Sequence, residues 1–301
     1  MRVTGKDSGM STAASSLPII VGVDGSPASR VAVDWAARDA ALRGADLKLV
    51  HVLVPPAVMA FPEVPMPPGF MEWQDEEGRR LLDSAVKTVE EAGAEVEVST
   101  DMVSGPAVPV LADLSSSAQM IVVGCRGHGA LARGLLGSIS TGLAHHAHCP
   151  VAIIHDEDPL MPHPSKAPVV VGVDGSPASE NAVAIAFEQA SFRGVDLLAV
   201  HAWSDTGVFE FPGADWSTLQ AAGEQTLSER LAGWQERYPD VLVRRVVVAD
   251  KPAHQLLEQA GSAQLLVVGS HGRGGIAGML LGSVSTSVLH GARMPVIIVR
   301  R

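Results

Sequence analysis

Short, unbroken apolar runs alternate along this chain with longer segments whose apolar positions recur every three or four residues. The first run, residues 17–23, shows no polar alternation, which suits a strand covered on both faces of a parallel sheet. Asp24-Gly25-Ser26-Pro27 ends it. Ser26 can cap a following helix, with Pro27 at the first helical position, where no N–H is needed. Ala28, Val31, Ala32, Trp35 and Ala36 then fall on one stripe at helical spacing. The same reading predicts strands at 47–54, 96–102, 120–123 and 151–154. It predicts helices at 73–91, 106–114 and 138–147. A proline-rich loop covers 55–71, and a glycine-rich segment covers 124–137.

The pattern then repeats. Residues 19–29 read IIVGVDGSPAS and residues 169–179 read VVVGVDGSPAS, nine of eleven identical at an offset of 150. His51 and His201 keep that offset. LLGSIS (135–140) matches LLGSVS (280–285) at an offset of 145, so the second copy is five residues shorter in its middle. A period this long is a domain duplication. Residues 1–17, rich in Ser, Thr and Ala and lacking a signal-peptide h-region, are expected to be disordered. The first domain spans 18–155. A linker follows at 156–166, within a stretch carrying Pro159, Pro162, Pro164 and Pro168. The second domain spans 167–301. Its strands are predicted at 169–173, 197–202, 241–248, 265–268 and 296–299, with helices at 177–192, 216–236, 252–260 and 283–291. Strands alternating with helices in each copy predict an α/β fold: two tandem, doubly wound, parallel five-stranded sheets. Ligands in such sheets bind beyond the carboxyl ends of the strands.

Composition narrows the function classes. The net charge is −11 and aromatics are 4%, so neither a basic phosphate-tracking surface nor a base-stacking platform is available, and nucleic-acid binding is not expected. Every apolar run is under ten residues, too short to span a membrane. Two cysteines, Cys125 and Cys149, read as free thiols in a reducing cytoplasm.

The sharpest chemistry follows the fourth strand of each copy. VVGCRGHGALARGLLGSIS carries Gly124, Gly127, Gly129, Gly137 and Ser138; VVGSHGRGGIAGMLLGSVS carries Gly269, Gly272, Gly274, Gly282 and Ser283. Both fit Gly-x2-Gly-x9-Gly-Ser. Glycines let backbone approach a ligand, and the final Gly-Ser opens a helix whose free N–H groups attract an anion. The spacing is not a P-loop, because no lysine follows. Gly-x-Gly-x-x-Ala does occur at 127–132 and 272–277, but after the fourth strand and without an acid about 20 residues on, which disfavours a dinucleotide fingerprint. Asp24 and Asp174 end the first strands and would face the same crevice, as ligand contacts or as turn caps. Val50-His51-Val52 and Val200-His201-Ala202 could offer backbone to a base edge, the histidines reading as satisfied, partly buried imidazoles.

Together the VGVDGSPAS strand ends and the doubled Gly-x2-Gly-x9-Gly-Ser signature are similar to the universal stress proteins, in tandem-domain form and of the ATP-binding branch. The resemblance covers essentially all of 18–300. It implies an adenine nucleotide α-hydrolase-like domain with strand order 3-2-1-4-5 and one ATP site per copy. It implies that Asp24 and Asp174 approach ribose and phosphate, and that Val50 and Val200 meet the adenine through backbone. Gly124, Gly127, Gly129, Gly137 and Ser138, with Ser140, would wrap the triphosphate of copy one. Gly269, Gly272, Gly274, Gly282, Ser283 and Ser285 would do so in copy two. It further implies a regulatory role in stress or dormancy with little or no turnover.

A slow ATPase and a protein-interaction module with vestigial sites are the competing readings. Against the first, the loop has no lysine to stabilise a leaving phosphate, and His128 has no counterpart in copy two, where Arg273 stands. His145, His146, His148 and Cys149 have spacing that points to different faces of a helix, which argues against zinc. A Mg2+ held mainly by phosphates fits better. The fifth strands should be sheet edges through which the copies pair, or through which a homodimer or another protein partner forms.

Overall fold

The computed structural model describes residues 17–54, 68–127, 136–155, 166–202, 216–248, 250–272 and 281–300, apart from the side chains of 216–219. In copy one the order is β1 (Ile19–Gly22), α1 (Pro27–Arg43), β2 (Leu47–Leu53), α2 (Phe70–Glu91), β3 (Val98–Ser104), α3 (Ala107–Ser115), β4 (Met120–Gly124), α4 (Ser138–His146) and β5 (Val151–Ile154). Copy two repeats it as β6 (Val169–Gly172), α5 (Pro177–Arg193), β7 (Leu197–Ala202), α6 (Trp216–Arg237), β8 (Val243–Val248), α7 (Pro252–Ala260), β9 (Leu265–Gly269), α8 (Ser283–Gly291) and β10 (Val296–Val299). The segment 1–16, the greater part of the linker and residues 55–67 of the proline-rich loop lie outside the described residues.

Each half has the strand order 3-2-1-4-5, and every pairing within a half is parallel. The halves join edge to edge: β10 runs antiparallel to β5, with Val296 opposite Ile153 and Ile298 opposite Val151. The result is a single ten-stranded sheet. The fifth strands therefore spend their edges on each other within one chain, and the outer edges of the described sheet are β3 and β8. Because the join is antiparallel, the carboxyl ends of the two sets of strands open on opposite edges of the sheet.

The central strands are apolar on both faces because both are covered. Ile19, Ile20, Val21 and their counterparts Val169 to Val171 are almost wholly buried. Helices α1, α2, α5 and α6 share one face with one continuous core; α3, α4, α7 and α8 cover the other. Burying such side chains contributes about 1.5–3 kcal/mol each. Helix α1 starts as its Ser-Pro order predicts, with the Ser26 side chain accepting from Ser29 N (3.1 Å) and Pro27 in the first turn, and it ends on Gly44 at φ 63°. Helix α5 repeats this with Ser176, Pro177 and Gly194. Helix α2 begins at Phe70, three residues before its expected start, after Gly69 at φ 78°.

A buried ionic contact fastens the two copies where α1 meets α5. The Asp39 carboxylate accepts from Arg43 Nε on its own helix and from Arg193 Nη2 of copy two, each at 2.8 Å. Arg193 also stacks on Trp35, its guanidinium 5.4 Å from the ring centroid. Burial lowers the pKa of Arg193, and Asp39 pulls it back up. On the opposite face the guanidinium of Arg300 donates to the carbonyls of Ala144 and His145 at the end of α4, where a cation is favoured by the helix dipole.

Candidate functional site

A cavity of about 520 Å³ opens beyond the carboxyl ends of β1, β2 and β4 in copy one. It is lined by Asp24, Val50, Gly124, Gly127, Gly137, Ser138 and Ser140, together with Ser29, His51, Val52 and Arg126. Every site residue expected in copy one is thus in one place, except Gly129, which lies outside the described residues, as does Gly274.

The floor is the turn after β1. The Asp24 carboxylate accepts from Ser26 N through Oδ1 (2.9 Å), while its own N–H points at the Ser29 hydroxyl (3.2 Å). Ser29 was not anticipated as a site residue, although Ser26 and Ser29 recur as Ser176 and Ser179 in the repeated motif. Ser26 Oγ in turn donates to the carbonyl of Arg126 (3.3 Å), tying this turn to the exit of β4. Copy two is built alike: Asp174 Oδ1 accepts from Ser176 N (2.9 Å), and Ser176 Oγ donates to the carbonyl of His271 (3.2 Å).

The glycines divide by what they make room for. A Cβ on Gly127 would fall 2.5 Å from Asp24 Oδ2, and one on Gly272 would fall 2.6 Å from Asp174 Oδ2. A Cβ on Gly124 would meet the backbone of Ala28 at 2.7 Å, and one on Gly269 that of Ala178 at 2.8 Å. Gly124 and Gly269 therefore admit the first turn of a helix, and Gly127 and Gly272 admit a carboxylate.

The wall is the start of α4. Gly137 N donates to the Cys125 carbonyl (2.8 Å), and the first helical bond runs from Thr141 N to Gly137 O (3.0 Å). No side chain caps this helix, in contrast to α1. Helix α8 starts identically on Gly282, with Gly282 N on the Ser270 carbonyl (2.7 Å) and no side-chain cap. Ser138 and Ser283, the first residues of these helices, are exposed. Ser140 and Ser285 are buried and already engaged. Ser140 Oγ bonds the carbonyls of Cys125 and Gly137, both at 3.0 Å, and Ser285 Oγ bonds that of Gly269 at 2.7 Å. Their hydroxyls pin the helix start to the strand.

The side wall is β2. Its ladder with β1 ends where Val23 N donates to the Val50 carbonyl (2.8 Å); Val173 N does the same to Val200 (2.9 Å). The Val23 carbonyl, to which the Val52 N–H would bond if that ladder continued, accepts from His51 Nδ1 at 2.7 Å. His201 repeats this with Val173 at 2.6 Å. Both imidazoles are held through Nδ1, and Val52 runs past the end of the ladder into the cavity.

The universal stress protein family model matches residues 17–155 and, again, 167–300. The chain belongs to the universal stress protein family. It is 58% identical over 294 residues to the universal stress protein Rv2623 of Mycobacterium tuberculosis, covering 97% of this chain and 99% of the relative. A second family member, from Mycobacterium bovis, is 54% identical over 286 residues, covering 94% and 97%. The crystal structure of a universal stress protein from Archaeoglobus fulgidus shares the fold, with a TM-score of 0.71 over 95% of this chain and 99% of that one at 22% identity. The tandem form of the family accounts for the doubled sheet. Among the described residues no cluster of three or more metal-ligating side chains occurs, and no helix is long and apolar enough to cross a membrane.

Proposed function

We propose that this universal stress protein is a nucleotide-binding regulator that holds one ATP in each copy, with little or no turnover, in a cytoplasmic stress or dormancy response. The observation that carries this reading is the uncapped start of α4, opening on a cavity of about 520 Å³. An uncapped helix leaves its first N–H groups without partners and its positive dipole end exposed, which favours a phosphate. The volume lies within the usual range of small-molecule sites, about 300–1,000 Å³. Phosphates would lie against the first turns beginning at Ser138 and Ser283. Asp24 and Asp174 would face the ribose, or a Mg2+ carried in on the phosphates, which needs few protein ligands.

Two details refine the assignment. The Val50 and Val200 carbonyls serve the sheet, so the base edge is better placed against the next backbone positions on that side of the strand, Val52 and Ala202. Gly124, Ser140 and their counterparts act by shaping the site. Turnover is disfavoured because the described lining residues include no lysine and His51 is held through Nδ1.

Nucleotide released by denaturing the gently purified protein tests this reading. ATP approaching two per chain is expected, falling to about one in Ser138→Glu or Ser283→Glu. An acid in a first helical turn suits the fold but repels phosphate. ADP with measurable turnover would instead establish a slow ATPase. Absence of nucleotide, with no ATP binding on titration, would leave a protein-interaction module.

A further inference from the structure

The outer edges of the ten-stranded sheet, β3 and β8, carry no further strand among the described residues. The ladders behind them show which backbone groups are left over. Leu47 N donates to the Glu97 carbonyl and Gly105 N to that of Leu53, so the odd-numbered residues of β3 bond β2. The N–H and C=O groups of Val98, Thr100 and Met102 therefore point away from the sheet. On the other edge Leu197 N donates to the Leu242 carbonyl, so the even-numbered residues of β8 bond β7. Those of Val243, Arg245 and Val247 point away. Such a row of outward backbone groups is a template for another strand. We infer that β3 of one copy of this chain pairs with β8 of a second copy, joining copies head to tail through their sheets.

Strand direction and side-chain alternation fix how the two edges meet. Pairing is parallel within each half and antiparallel where the halves join, so β3 and β8 run in opposite directions. A sheet that continues from one chain into the next with the same face up therefore has an antiparallel joint, as β5 and β10 already form. In such a ladder the outward-facing residues stand opposite one another. Val98 opposite Val247, Thr100 opposite Arg245 and Met102 opposite Val243 satisfies that rule. Val98, Met102, Val243 and Val247 are half-buried and pack against the core under α1, α2, α5 and α6, so their pairing extends one apolar face across the joint.

On the opposite face the same register sets Asp101 against Arg244, because neighbouring residues of a strand alternate between faces. Asp101 already pairs with Lys48 (2.8 Å), and Arg244 with Asp196 (2.7 Å). The joint lines these four up as Lys48, Asp101, Arg244 and Asp196, alternating in sign across it. The Arg244 side chain is 68% exposed and reaches outward from its own partner. Opposite charges directly across a strand pair stabilise it, and like charges destabilise it. Pairing β8 with β8 would bring Arg244 and Arg245 of two copies together. Pairing β3 with β3 would bring together two edges that each carry Asp101 and the exposed Glu97. Charge thus favours the unlike edges. A contact between unlike patches does not stop at two copies; it builds an open chain, or a ring where the rotation closes.

Sedimentation velocity of the full chain over a concentration series tests the inference. The weight-average sedimentation coefficient should climb with concentration past that of a dimer. Asp101→Arg sets an arginine against Arg244, and Arg244→Asp sets an aspartate against Asp101. Each variant alone should therefore associate at least about tenfold more weakly than the parent. An equimolar mixture of the two variants restores an opposite pair at every joint between them and should recover the parent's association. Thr100→Pro removes an outward N–H while sparing the bonds to β2, as an edge strand tolerates, and should stop growth; its thermal unfolding checks that the fold is kept. A parent that stays monomeric as its concentration rises, a dimer that grows no further, or charge variants that fail to recover on mixing would overturn the inference.

Discussion

Gly127 lies against the Asp24 carboxylate so closely that a side chain there would put its Cβ 2.5 Å from Oδ2. Gly272 and Asp174 repeat the contact at 2.6 Å. The glycine therefore protects the orientation of the acid, which is also set by Ser26 N (2.9 Å). Gly127→Ala should displace Asp24 and lower ATP affinity at copy one, leaving copy two unchanged. Overpacking of this kind costs about 1–3 kcal/mol of stability. Adding Asp24→Ala removes the obstructing oxygen, so the double variant should regain stability relative to the sum of the singles. Urea unfolding of the four proteins in this cycle measures the coupling; strict additivity would mean that the glycine answers to something other than the acid.

Gly124 has a different neighbour and a different expected phenotype. Its missing side chain admits Ala28 of α1, whose backbone carbon would lie 2.7 Å from a Cβ. Gly124→Ala should push the first turn of α1 off the sheet and cost about 1–3 kcal/mol. The loss should be as large without nucleotide as with it, and Gly269→Ala should behave alike against Ala178. A loss seen only in the presence of ATP would return Gly124 to direct phosphate contact.

Much of this architecture was legible because the strands are buried on both faces and the motifs occur twice. VDGSPAS revealed its own turn, cap and proline. Strand β3 lies two residues later than the sequence pattern predicts, since polar Ser99, Thr100 and Asp101 leave no apolar run on an edge strand. Spacing singled out Gly124 and Gly127, and the family resemblance added Ser140 and Val50, but neither could assign their tasks, because a small residue that admits a ligand looks the same as one that admits a helix. Strand register, visible only in three dimensions, decides that the Val50 carbonyl belongs to the sheet. The antiparallel pairing of β5 with β10 was one of several open uses for an apolar edge. The Asp39 contact has only a faint sequence signal: Arg43 and Arg193 recur at the repeat offset while Asp39 is matched by Gln189.

That mismatch supports a stabilising substitution. Asp39 offers one oxygen to Arg43 and the other to Arg193. Gln189, its counterpart, offers Oε1 to Arg193 Nε (2.8 Å), while its buried Nε2 finds no hydrogen-bond partner. Gln189→Glu replaces that donor with an acceptor beside the Arg193 guanidinium. It should stabilise the chain by about 1 kcal/mol, seen as a rise of about 2–4 °C in Tm. Conversely, Asp39→Ala removes the buried carboxylate that two partly buried guanidiniums share and should cost about 3–5 kcal/mol. Thermal unfolding of both variants, free of nucleotide, checks the pair. A Gln189→Glu protein no more stable than its parent would show that the amide is already satisfied.

Cys149 supplies a pH-dependent prediction whose sign follows from burial. Desolvation pushes its thiol up to about 12 from an ordinary 9.0, opposed by weaker backbone hydrogen bonds. In the unfolded chain the thiol ionises near its ordinary value, while in the folded chain it stays protonated. The folded state then binds more protons than the unfolded state between roughly pH 9 and 12, so stability must fall as pH rises through that window. The slope from one thiol is at most about 1.4 kcal/mol per pH unit. Lys and Tyr ionise in the same interval, so the informative quantity is the difference from Cys149→Ala. That variant should lose about 1–2 kcal/mol at neutral pH through the cavity it leaves, yet show a shallower decline above pH 9. Urea midpoints measured across the alkaline range for both proteins should converge with increasing pH. Parallel curves would mean that the thiolate is accommodated in the folded protein as readily as in water.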